Sequence, residues 1–96
     1  MNAVYHPDVQ KDVSKILRHY DRINPRLGEE FWAELNRFIQ KAAANPDHFH
    51  FESPGRRRVN LSRFPYHFLF REIAGGIRIS AVRGHKQHPK TSSARK

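Results

Sequence analysis

The stretch RRRVNLSRFPYHFLFREIAGGIRISAVR, residues 56–83, decides how the rest of this chain is read. It divides into three short strands, 56–63, 66–73 and 77–83. Gly75-Gly76 between the last two predicts a type I′ hairpin turn, whose two central residues both need positive φ. That turn places Phe70 opposite Ala81 and Glu72 opposite Ile79, and opposed residues share a face. One face then carries Phe68, Phe70, Ile77, Ile79 and Ala81, with Tyr66 beside them. The other carries His67, Leu69, Arg71, Arg78, Ser80 and Val82. Val59 and Leu61 join the first face, and Arg58, Asn60 and Ser62 the second. Phe64-Pro65 makes a corner, because proline is not tolerated in mid-sheet.

Outward from this sheet, the N-terminal half supplies a cover for the apolar face. Residues 2–6 fit a brief edge strand. Val9, Val13, Ile16, Leu17 and Tyr20 recur at helical spacing and predict an amphipathic helix over 7–22, with Pro7 at its first position. Asn24-Pro25 reads as a cap and a restart. Phe31, Leu35, Phe38, Ile39 and Ala42 continue the spacing to a stop at Asn45-Pro46, and Trp32 is expected in the core. Residues 48–55, HFHFESPG, read as a connection. The expected fold is a two-layer α+β domain, β-α-α-β-β-β, with a helical hairpin on one face of a small, mainly antiparallel sheet. Residues 1–90 form the domain, and 91–96 a basic tail expected to be irregular.

With 96 residues, one core without staples is feasible, and there are no cysteines to form disulfides or thiolate sites. No segment is apolar enough to span a membrane, and the N-terminus does not read as a signal peptide, so a cytoplasmic setting is expected. Charge is unevenly spread. Residues 1–53 hold seven Lys/Arg against eight Asp/Glu, net −1. Residues 54–96 hold eleven against the single acid Glu72, net +10. A one-sided field of this kind favours a polyanionic partner, nucleic acid or an acidic protein segment.

The uncovered sheet face carries the candidate chemistry. Arg58, Asn60, His67, Arg71 and Arg78 project from it, and Arg83, His85, Lys86 and His88 lie at its exit. Arginine and lysine there grip phosphates or carboxylates. A histidine among them is suited to general acid–base work near neutral pH. Together they fit the cleavage of an RNA strand, with charge stabilised as it develops. The plain alternative is a solubilising basic face. Arg56, Arg57 and Arg63 extend the basic surface. His48/His50 and His85/His88 are paired in sequence, yet with no cysteine or converging carboxylate they predict no metal site. His6 and His19 read as surface or capping residues.

Taken together, YHPDVQKDVSKI (5–16), NPRLGEEFWAEL (24–35), IQKAAANPDHF (39–49), RRVNLSRFPYHFLFRE (57–72) and IRISAVRGHKQHP (77–89) resemble the RelE/ParE superfamily of toxins from bacterial type II toxin–antitoxin systems. The resemblance implies a growth inhibitor encoded beside an antitoxin, as in plasmid stabilisation loci, whose acidic segment wraps over the toxin. It implies no cofactor. The RelE side implies an endoribonuclease, an mRNA interferase cutting message in the ribosome, with Arg58, His67, His85 and Lys86 as its catalytic set. The ParE side implies a toxin that binds DNA gyrase and is not an enzyme. Arg56, Arg57, Arg58, Asn60, Arg63, Arg71, Arg78, Arg83 and Lys86 would then form a partner or nucleic-acid surface. Asn60 stands where RelE-like enzymes commonly have a lysine, and the tail KTSSARK lacks their aromatic residue. RFPY and AVR-x-H are closer to the ParE side, which is favoured. A member that retains only antitoxin binding is a further alternative.

Overall fold

The structure is a computed structural model that describes residues 2–85. Lys86, His88 and the tail 91–96, for which the sequence sets expectations, lie outside the described residues. Strand β1 (Asn2–Tyr5) leads into α1 (Val9–Ile23) and α2 (Pro25–Ala44), a 3-10 turn at Pro46–His48, then β2 (Phe51–Ser53), β3 (Arg56–Asn60), β4 (Tyr66–Ile73) and β5 (Gly76–Gly84). The five strands form one sheet in the order β1-β5-β4-β3-β2. Only β1 and β5 run parallel. This is the α+β layering expected from the sequence, with one strand more than expected.

The helices form for the reasons their sequences suggest. Val9, Val13 and Ile16 are buried on α1. Phe31, Leu35, Ile39, Ala42 and Ala43 are buried on α2. Asn24 ends α1 and caps α2, its side chain accepting from the Arg26 amide at 2.9 Å, with Pro25 at the first position. The first helix begins later than expected: Pro7 and Asp8 form a turn, and the Asp8 amide donates to His6 Nδ1 at 3.1 Å. The helical layer packs on Val59, Phe68, Phe70, Ile77, Ile79 and Val82. Near one end, Phe31 meets Tyr20, Phe64 and Tyr66 in ring contacts at 5.9, 5.5 and 5.5 Å. Trp32 departs from expectation. It is half exposed and lines a surface cleft with Tyr5, Pro7 and Leu17.

The hairpin turn is corrected by one residue. Ile73 pairs with Gly76, so the turn is Ala74-Gly75. Only Gly75, at φ +79°, has positive φ, which excludes type I′. Gly76 belongs to β5, and it is glycine for a different reason: a Cβ there would run into the backbone carbonyl of Asn2 on β1. The parallel β1–β5 pairing therefore requires a bare backbone at 76. Gly76→Ala is expected to free β1, seen as fast amide exchange at residues 2–5 while β4 stays protected; unchanged protection of β1 would refute this.

Register is corrected too. Phe70 pairs with Ile79 and Leu69 with Ala81, so Ser80 is the extra residue of a β-bulge. The bulge turns Val82 toward the helices and Ala81 away, the reverse of the expectation. Asp12 on α1 holds it: its Oδ2 accepts from the Val82 amide at 3.0 Å. The chain after β3 is held in the same way. Buried Glu34 accepts from the amides of Ser62 and Arg63 at 2.9 and 3.0 Å, which ends the strand at Asn60 rather than Arg63. The segment 48–55 is no mere connection, since β2 pairs with β3 through a turn at Pro54-Gly55, where Gly55 has φ +78°.

Candidate functional site

The sheet face away from the helices was expected to be open. Its centre is closed: His67, Leu69, Ala81 and Arg83 are all buried there. Pairing explains which side chains gather. His67 is opposite both Asn60 and Arg83, and Arg58 is opposite Leu69. The bulge at Ser80 brings Arg83 onto this face beside His67.

Glu52 of β2 ties the cluster together. Its Oε1 accepts from Arg58 Nη1 at 3.0 Å, and its Oε2 from Arg83 Nη2 at 2.8 Å. Arg58 Nε also donates to Asn60 Oδ1 at 2.7 Å. Arg83 Nε donates to His67 Nε2 at 2.9 Å. A guanidinium has no acceptor, so His67 Nε2 is unprotonated and the ring's proton is on Nδ1. That proton is directed at His85 Nδ1, 3.0 Å away. Arg58 Nη2 approaches the same atom at 3.3 Å. The two rings lie 10° apart with centroids separated by 5.2 Å. That separation is about the N···N distance plus two ring radii, so the rings are nearly coplanar and edge to edge, a hydrogen bond and not a face stack. His85 is exposed, and its own amide donates to the Pro65 carbonyl at 3.0 Å.

Burial is the main reason His67 titrates low, at about 4, with Arg58, Arg83 and His85 adding to the effect and Glu52 opposing it. His67 is therefore neutral at pH 7. As pH falls, the unfolded chain takes up this proton near 6.5, before the folded one does. The contribution to stability is complete above about pH 6.5 and is lost as pH drops toward 4, about 3 kcal/mol in all. Thermal melts from pH 7 to 4 should show an acid-side fall that is flattened in His67→Gln. Parallel profiles would show that another group is responsible.

The remaining sequence candidates fall elsewhere. Arg57 points to the helix side of the sheet. It stacks over Phe51 at 4.0 Å, donates to the Phe49 carbonyl at 2.7 Å and pairs with Glu72 at 3.1 Å. Arg63 pairs with Glu30 at 3.2 Å on the exposed corner. Arg71 and Arg78 are directly opposed on the same face as the cluster, toward the other end of the strands. Sequence reasoning missed Glu52. The alternation His48-Phe49-His50-Phe51-Glu52 is a strand pattern that would have placed it on a sheet face. Among the described residues, no group of three or more His, Asp or Glu is placed to hold a metal ion. No described helix is long and apolar enough to cross a membrane.

No family model and no curated protein matches the sequence. Among solved structures, one described as "Chromosomal ParDE TA system from P. aeruginosa" superposes with a TM-score of 0.76, covering 88% of this chain and 95% of that chain at 20% identity. The fold is of the RelE/ParE type. The RelE/ParE-like fold read from the sequence motifs is thus the observed one. Its helical hairpin covers one sheet face and leaves the Glu52–Arg58–His67–Arg83–His85 network on the other.

Proposed function

We propose that this chain is the toxin of a type II toxin–antitoxin pair, a growth inhibitor that acts by binding DNA gyrase and is neutralised by a cognate antitoxin. The observation that carries the choice of binding over catalysis is the closure of the network. Glu52 accepts from both Arg58 and Arg83, and both ring nitrogens of His67 are engaged. Groups spent on one another are poorly placed to bind a scissile phosphate or move its protons. The likeness in fold to a chain of a ParDE system supports the same side. The excess positive charge of residues 54–96 suits an antitoxin with an acidic segment. The purified protein is expected to inhibit supercoiling by gyrase and to trap cleaved DNA. No effect at stoichiometric excess would overturn the reading.

One observation favours an mRNA interferase as the second reading. His85 is exposed at the end of the relay, within 3.3 Å of an arginine nitrogen, a geometry suited to proton transfer at a phosphodiester. It predicts cleavage of ribosome-bound message that is lost in His85→Ala, and intact message after induction eliminates it. Harmless overexpression without antitoxin would instead mark a chain that retains antitoxin binding alone.

A further inference from the structure

One carboxylate holds the network shut, and it is gripped as a bound anion would be. Each Glu52 oxygen accepts from a different guanidinium, Oε1 from Arg58 Nη1 at 3.0 Å and Oε2 from Arg83 Nη2 at 2.8 Å. The two arginines come from β3 and β5, on either side of β4. Arg83 is the floor of the site, its side chain 6% exposed, and Arg58 and Glu52 are the partly exposed mouth. His85 stands exposed beside them, its Nδ1 3.3 Å from Arg58 Nη2. The carboxylate comes from the least secured strand of the sheet. Strand β2 is three residues long, lies at the sheet edge, is exposed throughout and pairs irregularly with β3. Its ties fall just before Glu52. The Phe49 ring meets Phe70 at 6.1 Å, the Arg58 amide donates to the His50 carbonyl at 3.0 Å, and Arg57 lies over the Phe51 ring. Glu52 follows these ties and precedes the Pro54-Gly55 turn, so its side chain can swing to solvent without disturbing the core.

What would replace the carboxylate follows from what it leaves unmatched. Two guanidiniums around one carboxylate leave a positive charge over, since His67 between them is neutral at pH 7. A carboxylate has two oxygens, and both are taken. A phosphate carries about two negative charges near pH 7 and has further acceptor oxygens. His85 suits one of these. Its Nδ1 accepts from His67, which puts its own proton on Nε2, a donor on an exposed ring. Arginine nitrogens match phosphate oxygens as well as they match a carboxylate.

We propose that Arg58 and Arg83, with His85 beside them, form a phosphate-binding site that Glu52 keeps filled, and that phosphate enters by displacing the Glu52 side chain. The phosphate takes over the two nitrogens that Glu52 occupies and asks no others of either arginine. The inference goes beyond the gyrase reading and does not rest on it. The test is binding of inorganic phosphate to the full chain at pH 7 and constant ionic strength, by calorimetry and by the midpoint of urea unfolding. Glu52→Ala is expected to bind phosphate at least about tenfold more tightly than wild type, because no charge-assisted hydrogen bond has to be broken first. Its unfolding midpoint should rise with phosphate, since a ligand of the folded state stabilises that state. Wild type sets the baseline, because phosphate also stabilises proteins by exclusion from their surfaces. Glu52→Met/Arg83→Met lacks the buried guanidinium and should respond no more than wild type. If Glu52→Ala does not fold, Glu52→Gln, which keeps one acceptor oxygen, carries the same comparison. Equal phosphate affinity in wild type and the Glu52 variant overturns the inference. So does a stronger response to acetate than to phosphate, which would make the site one for a partner's carboxylate. A trinucleotide with a terminal phosphate distinguishes the source. Binding tighter than that of inorganic phosphate puts the phosphate on a nucleic acid, equal binding makes it a free phosphate, and both sustain the site. Supercoiling is scored separately: its failure to be inhibited removes the gyrase reading and leaves the phosphate result standing, and the reverse holds equally.

Discussion

Glu52→Ala is expected to destabilise the domain by about 3 kcal/mol, toward the low end of what removing one partner of a buried ion pair costs. The physical reason is the charge left behind. The Arg83 side chain is only 6% exposed, whereas that of Glu52 is 27% exposed, so deletion takes the carboxylate away from a buried guanidinium while the lost carboxylate was itself partly solvated. Arg58 also loses its carboxylate but is free to turn to solvent. Replacing both charges with apolar side chains of similar length, as in Glu52→Met/Arg83→Met, should recover much of the loss, because such a pair carries no desolvation cost. Urea unfolding gives the number, read as a fall in midpoint at constant slope. A loss below about 1 kcal/mol would mean that the network is solvated and that Arg83 is not committed to it.

Phe31→Ala is expected to cost about 3–5 kcal/mol. Phe31 is fully buried and is the ring that α2 contributes between Tyr20 of α1 and the Phe64–Tyr66 corner. Truncation removes three ring contacts, those with Phe64 and Tyr66 edge-on, and leaves a cavity that helix, corner and sheet cannot all close at once. For a domain of this size the melting temperature should fall by on the order of 20 °C. A drop of only a few degrees would show that the corner collapses into the space. The loss is a large share of a typical domain's stability, so the variant is best measured in denaturant at low temperature. The two substitutions probe opposite sides of one sheet, with no shared partner, and their effects should add.

Much of the fold was legible in the residues. The two helices follow from apolar spacing, and their junction from Asn24-Pro25, because capping and periodicity act over a few residues. Strands β3 to β5 follow from the alternation of their two faces and the turn signals between them, and β1 from the short apolar run at the N-terminus. The site was less legible. Arg58, Asn60, His67, Arg83 and His85 were all picked out by type and position, but as groups presented to solvent. The structure has them hydrogen-bonded around a carboxylate from 48–55, a segment whose sequence reads as a connection. Pro54-Gly55 drew attention as a break, when it is the turn joining two paired strands. Arg57 was grouped with Arg58, although alternation along a strand sends neighbours to opposite faces.

By itself the sequence determined the layers, their order and the side of the molecule that holds the positive charge. Each depends on local spacing or on counting. Only the tertiary structure decided which residues of residues 56–83 look inward near the end of β5, and hence what meets His67. That choice turns on a single bulge at Ser80; two residues on, Val82 gives its amide to Asp12, 70 residues away on α1. A strand's face repeats every two residues, so one extra residue reverses it. No local pattern records where a distant helix will hold that extra residue in place.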